Sequence, residues 1–363
     1  MTALALYRLP YAEQAIMLRG ETEEFLSCHE LNGQEGFVFA PFHITSEQPV
    51  ILIHPLEMSP MPLLSFAAGS DDLRHYFEEN GLRTAEPDPY YAADFATFHA
   101  QLLAGTFQKL VLSRCAVETP AMRHDVTGLF RMACRAYPRM FVSLVQTEKG
   151  GLWLSATPEL LLAGDGEHWR TTALAGTMKL EGEQLSFDTP TPVGAGCRGI
   201  EWSDKNIREQ RLVDTYISEC LNHFTTDIHE EGPRTVRAAN LAHLRSDFSF
   251  TLPDCQHVGD LLQELYPTPA VCGLPKREAF DFILQHEHTP RGYYSGFMGP
   301  LALESATHLY VNLRCMQICG NDYHLYAGGG LLTDSTVSQE WLETEAKLET
   351  MRRVIRQSSV LKT

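Results

Sequence analysis

The sequence lacks the features that mark several classes of protein. No apolar run among its 363 residues approaches the roughly 20 residues of a membrane-spanning helix. Met1 to Pro10 contain no basic segment followed by a long apolar stretch, so we expect no signal peptide and no membrane partner. No GxxxxGK[ST] loop occurs, and the glycines at 328–330 are too closely spaced for a dinucleotide site. We find no repeats and no low-complexity linker, and the length suffices for one large domain or two ordinary ones.

Paired cysteines and an excess of positive charge are also absent. The nine cysteines are scattered, odd in number and contain no CxxC pair, which indicates reduced thiols in a cytoplasmic protein. Lys and Arg number 29 against 46 Asp and Glu, and the net charge of −17 argues against nucleic acid or an anionic membrane as partner. An anionic ligand would meet an unfavourable field, so local cations or a metal ion would have to hold it.

The pattern of helices and strands predicts an α+β fold. Residues up to about 95 are punctuated by prolines, and we expect them to be irregular. Tight turns such as Asp165-Gly166 join several of the later strands, which indicates largely antiparallel sheets rather than a regular βαβ arrangement. The predicted helices are Tyr91–Ala104, Val126–Ala136, Ser203–Phe224, Val258–Glu264, Pro275–Gln285 and Ser338–Arg356. The predicted strands are Lys109–Val117, Phe141–Gln146, Gly151–Ala156, Thr307–Met316 and Tyr323–Leu332.

Lys109 is the most informative single residue, because it lies in a run of strand-forming apolar residues that usually excludes Lys. A buried ammonium must find a partner or lose its proton, and a Lys with a lowered pKa can act as a base. The alternative is a Lys whose stem is buried and whose head reaches water. The strand by itself does not decide between the two.

Carboxylates on two helices form a second candidate feature. Glu340 and Glu343 share a helical face that Lys347 extends. A solvated stripe with an i,i+4 ion pair is the commoner arrangement on such a helix. Glu209 lies between basic neighbours on another helix, where a surface ion pair is the commoner arrangement. If the two helices converge, their carboxylates suit Mg²⁺, a hard ion that takes oxygen ligands.

Three further segments carry polar groups that are weak evidence alone. Arg314 lies in a strand-like run, either paired within the fold or holding a carboxylate with its bidentate fork. Glu159 follows a strand at the turn Thr157-Pro158-Glu159. His286-Glu287-His288 has no third ligand nearby, so we assign this segment to the surface.

Nine segments occur in the order in which chorismate-utilising enzymes carry them. They are Lys109–Arg114, Thr157–Leu162, Ala173–Thr177, Lys205–Glu209, Pro267–Gly273, Tyr293–Gly299, Val311–Cys315, Ala327–Gly330 and Glu340–Lys347. On these segments the chain resembles the isochorismate synthases. The resemblance implies the fold of anthranilate synthase component I, a single chorismate-binding domain over 1–363 with antiparallel sheets packed face to face and helices outside. It also implies a variable part over 1–95 and a motif-bearing core over 96–358.

The resemblance implies Mg²⁺-dependent conversion of chorismate to isochorismate, in which water adds at C2 and the C4 hydroxyl leaves. Lys109 matches the base that activates water, and Glu159 matches the acid that protonates the leaving hydroxyl. These roles require a lowered pKa for Lys109 and a raised pKa for Glu159. Glu209 and Glu343 match the Mg²⁺ ligands, and Glu340 matches an acid behind them or acting through water. The substrate-binding matches are Gly176, Thr177, Ala270, Tyr294, Arg314, Gly328 and Lys347.

Individual residues favour one relative over others. Enzymes that add ammonia usually carry Gln in place of Lys109, aminodeoxychorismate synthases typically have Lys in place of Ala175, and salicylate synthases tend to have Thr in place of Ala270. We therefore expect isochorismate as product and no glutaminase subunit. We expect the product to feed menaquinone or a catechol siderophore, and the protein to be a monomer or weak homodimer. A salicylate synthase, an aminating subunit and a non-catalytic chorismate-binding homologue are the alternatives.

Three residues depart from the family pattern. The family often has Asp in place of Asn206, His in place of Gln210 and His in place of Tyr266. Asn206 removes a charge near the expected metal, and Tyr266 leaves control of the product open.

Overall fold

A computed structural model describes residues 3–63, 86–120, 124–180, 184, 191–192, 200–252 and 257–360. In these ranges 17 strands form one hydrogen-bonded network in which the strand pairs are antiparallel. The strands are β1 (Ala3–Arg8), β2 (Gln14–Phe25), β3 (Gly36–Ala40), β4 (Val50–Pro62), β5 (Lys109–Glu118), β6 (Phe141–Thr147), β7 (Gly151–Thr157), β8 (Leu160–Asp165), β9 (His168–Lys179), β10 (Thr191–Pro192), β11 (Ile228–Ala238), β12 (Leu241–Thr251), β13 (Gly273–Leu274), β14 (Phe297–Leu301), β15 (Ala306–Val311), β16 (Cys315–Cys319) and β17 (Asp322–Leu331).

The network has two halves that meet at β4, which pairs with β2 in one half and with β3 in the other. The first half continues from β2 through β1, β6, β7, β16, β17, β5 and β13. The second half continues from β3 through β14, β15, β8, β9, β12, β11 and β10. The strand order therefore brings β5 and β17, which carry the segments Lys109–Arg114 and Ala327–Gly330, side by side.

An aromatic core joins the two halves. Phe141 of β6 stacks on Tyr310 of β15 with ring centroids 4.4 Å apart, and Phe39 of β3 meets Trp153 of β7 edge-on at 6.5 Å. All four rings belong to one buried cluster. Because inward and outward side chains alternate along a strand, the next residue, Val142, packs on the opposite face. The halves thus pack face to face, which confirms the predicted fold class.

Six α-helices among the described residues cover the outer faces. They are α1 (Pro89–Leu103), α2 (Val126–Ala136), α3 (Asp204–Asn222), α4 (Val258–Leu265), α5 (Lys276–His286) and α6 (Val337–Val360). Helices α2 and α6 pack on the first half, and α3 and α4 pack on the second. Ser203 caps α3 as predicted, since its side chain accepts a hydrogen bond from the Asn206 backbone at 3.3 Å. No helix in the described ranges has the length and apolar character needed to cross a membrane.

The expectation of an irregular segment up to residue 95 is wrong, because β1 to β4 lie there and pair with β6 and β14. The prolines misled the prediction. Pro55, Pro60 and Pro62 lie in the part of β4 that pairs with β2 alone, and such an edge tolerates a residue without an N–H group. The motif-bearing segments and the N-terminal strands therefore share one network.

The predicted strand Thr307–Met316 is also wrong in its middle. It is interrupted between Val311 and Cys315, where Arg314 adopts a φ of +47°. This left-handed turn, which L residues rarely adopt, separates β15 from β16. Strands β11, β12 and β14 were not predicted from the sequence.

Candidate active site

A cavity lies where β5, β9 and β17 meet helices α3 and α6, and it encloses about 610 Å³ of space not filled by atoms, including its mouth. Most of the residues predicted for the site line it. They are Glu159, Gly176, Thr177, Glu209, Ala270, Tyr294, Arg314, Gly328 and Lys347. Lys109, Glu340 and Glu343 do not line it, and each instead contacts a residue of its wall or the glycine run of β17. The structure therefore brings all the predicted residues to one place.

The run Gly328–Gly330 on β17 allows the carboxylates to approach the strand. A Cβ atom on Gly329 would lie 2.8 Å from Glu340 Oε2, and one on Gly330 would overlap Glu209 Oε1 and lie 2.9 Å from Lys109 Cε. Any larger residue at these positions would push away α3 or α6. Only Gly328 was predicted from the sequence, although successive glycines inside a strand are themselves a sign of close approach.

Lys109 is fully buried on β5, and its Nζ lies 3.0 Å from Glu209 Oε1 on α3. The head of this lysine does not reach water, so the alternative of a solvent-exposed ammonium is wrong. The sequence did not indicate its partner. The pair uses the same carboxylate that the resemblance assigns to a metal ion.

The face of α6 that carries Glu340, Glu343 and Lys347 is turned inward. Glu340 is 1% exposed and pairs with Lys205 of α3, so a solvated stripe is the wrong description of this residue. Lys347 Nζ lies 2.6 Å from Glu343 Oε1, as the i,i+4 spacing predicts, and 2.8 Å from the Gly328 carbonyl oxygen. Burial and the neighbouring Glu343 raise the pKa of Glu340. Burial would raise the pKa of Glu343 as well, but Lys347 and Lys205 lower it below its usual value.

The carboxylates of Glu209, Glu340 and Glu343 are the candidate metal ligands. Within the described ranges no three His, Cys, Asp or Glu side chains are placed closely enough to form a metal site without adjustment. The donor chemistry nevertheless fits a hard divalent cation, because all three are carboxylates and Glu340 Oε2 is buried without a hydrogen-bond partner. Each carboxylate has a lysine partner in the structure, namely Lys109, Lys205 or Lys347.

Glu159 lies at the turn after β7, where its backbone is fixed at both ends. Its N–H donates to Thr157 Oγ1 at 3.3 Å, and its carbonyl oxygen accepts from the Val311 N–H at 3.0 Å. The residue is 4% exposed. Burial raises the pKa of Glu159 to about 7, although Lys109, Lys347 and Arg314 oppose the shift. The carboxyl group can therefore carry a proton near neutral pH, as an acid catalyst requires.

Arg314 is buried in the cavity wall, and among the described residues no carboxylate forms a salt bridge with it. Burial lowers the pKa of Arg314 to about 10. Its Nη2 lies 2.9 Å from His243 Nε2, and its Nη1 lies 3.5 Å from Thr350 Oγ1. A buried guanidinium with only neutral partners is a ready receptor for an anionic ligand.

His243 on β12 is a site residue that the sequence did not indicate. A guanidinium can only donate, so Nε2 of His243 accepts from Arg314, and Nδ1 donates to the Gly176 carbonyl oxygen at 3.1 Å. Burial, with Arg314 and Lys347, holds the pKa of His243 well below its usual value. The imidazole is therefore neutral and orients Arg314. Arg314 is distant from His243 in sequence, and strand β12 was not predicted, so no local signal could have found His243.

The three departures from the family pattern have structural roles. Gln210 accepts from the Ala175 N–H at 2.8 Å, and Asn206 donates to the Thr177 carbonyl oxygen at 3.2 Å. Both residues fasten α3, which carries Glu209, to β9. The Tyr266 hydroxyl lies 2.9 Å from the Ser295 carbonyl oxygen and does not line the cavity. Tyr266 therefore supports the backbone next to Tyr294 without reaching the space where a substrate would lie.

The two histidines of the segment His286-Glu287-His288 are exposed, as expected, but the surface assignment is wrong for Glu287. The Glu287 side chain is 3% exposed and pairs with Arg291 at 2.6 Å. It also accepts from the Ser113 N–H at 2.6 Å, which ties the segment to β5.

Comparison with known proteins was made on both sequence and structure. The family model described as chorismate binding enzyme matches residues 72–356. Isochorismate synthase EntC of Escherichia coli (strain K12) is 30% identical over 247 residues, which are 68% of this chain and 62% of that protein. Isochorismate synthase MenF of the same strain is 34% identical over 254 residues, which are 69% of this chain and 56% of that protein. The match thus spans less than two thirds of either relative's length.

The fold is similar to that of the solved structure of MenF, the menaquinone-specific isochorismate synthase from Escherichia coli. The TM-score is 0.75, and the superposition covers 97% of this chain and 88% of that one at 23% sequence identity. At this identity the likeness supports the fold alone.

Proposed function

Because the chain belongs to the family of chorismate-binding enzymes, we propose that it converts chorismate to isochorismate. The names of the relatives support the choice of reaction. The observation that carries it is Arg314, a buried guanidinium without a carboxylate partner among the described residues, in the same cavity as Glu159. The cavity thus combines a receptor for a carboxylate with an acid that is protonated near neutral pH.

Substrate binding would rest on local cations, because chorismate is a dianion and the chain carries −17. Arg314 is oriented for this task by His243. Lys347 lines the same wall and already contacts Gly328 and Glu343. A cation about 4 Å from a carboxylate supplies roughly 4 kcal/mol at an effective dielectric constant of 20, enough to hold a carboxylate against the overall field.

In the proposed reaction a water molecule gives a proton to Lys109 while the water oxygen bonds to C2 of chorismate. The ring double bond shifts, the C4–oxygen bond breaks, and Glu159 donates its proton to the departing hydroxyl group, which leaves as water. One water is consumed and one is released. Proton return from Lys109 to Glu159, directly or through solvent, restores the enzyme. Glu159 is suited to its part because it is buried with a pKa of about 7.

We propose Mg²⁺ as cofactor, with Glu209 and Glu343 as ligands and Glu340 beside them. When bound, the ion would offset the negative charge of a substrate carboxylate. Gly329 and Gly330 leave room for the carboxylates beside β17. Lys205 and Lys347 offset the repulsion between the carboxylates.

The choice of isochorismate over other products rests on two residues. Lys109 rather than Gln favours water over ammonia as nucleophile, so no glutaminase subunit is needed. Ala270 lines the cavity where salicylate synthases tend to have Thr, which favours release before pyruvate is lost. Menaquinone or catechol siderophore synthesis would take up the product. Location in the cytoplasm fits the free thiols of the seven described cysteines.

The test is incubation of purified protein with chorismate and Mg²⁺, followed by product chromatography. We expect isochorismate. Salicylate with pyruvate would assign the protein to the salicylate branch, an aminated product with an ammonium salt would assign it to the aminating branch, and no turnover would make it a non-catalytic homologue.

The variant that tests the base is Lys109→Gln, which should bind chorismate but form no isochorismate. Lys276→Gln is the matched control. Lys276 is a partly exposed lysine whose Nζ donates to the Glu264 carbonyl oxygen at 2.6 Å, outside the cavity. We expect this control to retain turnover. Normal turnover by Lys109→Gln would remove Lys109 from the mechanism.

A further inference from the structure

Lys205 on α3 is a charged residue beside the site that the proposed reaction does not use. It does not line the active-site cavity, whereas Lys347 does and Lys109 is the proposed base. The Lys205 ammonium forms a salt bridge with Glu340 Oε1 of α6. The side chain of Lys205 is 20% exposed and that of Glu340 is 1% exposed. The pair therefore has one partner enclosed in the protein and one that is partly open to solvent.

The charge of Lys205 acts on all three candidate metal ligands. Glu209 lies one turn further along α3, on the same face of the helix. Burial would lower the pKa of Lys205, but Glu340, Glu343 and Glu209 raise it above its usual value. The ammonium group is therefore charged at neutral pH and lies among the same carboxylates that we propose as the Mg²⁺ site.

The place of Lys205 in α3 is unfavourable for a lysine by itself. Lys205 is the second residue of the helix, where the free backbone N–H groups give the helix end a partial positive charge. Negatively charged residues such as Asp204 suit this end, and a lysine does not. The attraction of the carboxylates offsets this cost and accounts for the direction in which the side chain points.

The carboxylates are already balanced by ammonium groups in the structure. Because three lysines face three glutamates, a divalent cation would enter a cluster without net charge and would be repelled by each lysine that stayed. The three pairs are Lys109 with Glu209, Lys205 with Glu340, and Lys347 with Glu343.

Lys205 is the lysine that can leave the cluster most easily. Lys109 is fully buried, and Lys347 also donates to the Gly328 carbonyl oxygen at 2.8 Å. Within the described part of the chain, the Lys205 ammonium donates to Glu340 alone. Its partial exposure gives it a path to water, so its withdrawal would break one salt bridge and bury no charge.

We propose that Lys205 is a tethered cation, which holds Glu340 in the metal-free protein and competes with Mg²⁺ for the carboxylate cluster. Lys205 is a positioning residue in this role and does not touch the substrate. The inference rests on the proposed Mg²⁺ site but not on the identity of the product.

The test is calorimetric titration of the full chain with MgCl₂ at pH 8, without chorismate. Lys205→Met keeps an unbranched side chain and removes the charge. We expect this variant to bind Mg²⁺ about tenfold more tightly than the wild type, because a competing cation is lost. Unchanged or weaker binding would overturn the proposal, since an anchor of the site would weaken binding when removed. Absence of Mg²⁺ binding to both proteins at millimolar concentration would overturn it as well.

Two further variants separate competition from the effect of net charge. Lys205→Arg keeps the charge and should bind Mg²⁺ no more tightly than the wild type. Lys149→Met is the matched control, because Lys149 also pairs with a glutamate, Glu24, at 2.8 Å, but on the surface in the turn between β6 and β7. This control should leave the affinity for Mg²⁺ unchanged. An equal gain of affinity in Lys149→Met would refute a role specific to Lys205.

The melting temperature provides a second readout. Without Mg²⁺, Lys205→Met should melt below the wild type, because Glu340 loses the partner of a buried charge. Addition of Mg²⁺ should raise the melting temperature of this variant more than that of the wild type, because a tighter ligand stabilises the folded state more. Equal rises in both proteins would contradict the competition. Neither measurement involves chorismate, so a failure to form isochorismate would refute the proposed reaction and leave this inference unaffected.

Discussion

Replacing Glu159 by Gln should abolish turnover and at the same time stabilise the protein at alkaline pH. The carboxyl group of Glu159 is buried, and its pKa is raised from 4.5 to about 7 because burial disfavours the charged form. Its contribution to stability is therefore fully present below pH 4.5 and is lost as the pH rises through about 7. Gln keeps the shape of the neutral acid without the charge.

The magnitude follows from the size of the shift. A pKa difference between 4.5 and about 7 corresponds to about 3 kcal/mol, which is an upper bound because the cavity admits some water. We expect Glu159→Gln to be more stable than the wild type by up to that amount at pH 8 and to differ little at pH 4.5. Turnover by the wild type should fall about tenfold for each pH unit above about 7, because only the protonated acid can donate.

The assay is urea unfolding of both proteins at pH 4.5, 6 and 8, with chorismate turnover measured over the same range. Glu167→Gln, at an exposed carboxyl group in the turn between β8 and β9, is the matched control and should change neither quantity. Equal stability of Glu159→Gln and wild type at pH 8, or turnover by the variant, would refute the assigned acid.

Three other substitutions test the setting of the site. Gly330→Ala should destabilise the protein by about 1–3 kcal/mol in urea unfolding and abolish turnover, because the added methyl group would overlap Glu209. If the variant kept the activity of the wild type, the close approach of Glu209 to Gly330 would not be needed for turnover. His243→Leu should raise KM for chorismate about tenfold with a smaller change in kcat, since Arg314 loses a hydrogen-bond acceptor. His243→Gln should restore part of the lost affinity. A change confined to kcat would contradict the orienting role of His243. Asp214 lies on α3 and accepts a hydrogen bond from Gln210 Nε2 at 3.0 Å. Asp214→Asn should stabilise the protein at pH 8 but not at pH 4, because burial raises the pKa of Asp214 to about 6; equal stabilisation at both pH values would contradict this.

Most helices and several of the later strands were predictable because they depend on local pattern, whereas the convergence of the site residues was implied only by the resemblance to chorismate-utilising enzymes. Helix Val126–Ala136 has the predicted bounds, and the spacing of Glu340, Glu343 and Lys347 placed them on one face before any contact was known. Prediction failed where distant contacts decide the structure. The pairing of Lys109 with Glu209 depends on how α3 docks beside Gly330, and that docking has no local signature.

Arg314 and His243 show a second kind of limit. The run around Arg314 has the composition of a strand, yet the chain turns there with a φ of +47°. His243 reaches it from a strand that pairs with β9, and neither the turn nor the pairing is encoded in a short stretch of sequence. Within residues 1–95 the prolines of β4 indicated an irregular segment, because an edge strand is recognised only once its neighbours are known.

The central claim is that solvent water becomes the new hydroxyl group. Its most direct test is turnover of chorismate in water enriched in the heavy oxygen isotope, with the product measured by mass spectrometry. Addition of water at C2 predicts isochorismate that is heavier by one heavy oxygen atom, with the label on the C2 hydroxyl. Unlabelled isochorismate would mean that the original hydroxyl group migrates within the substrate, and it would contradict the roles given to Lys109 and Glu159.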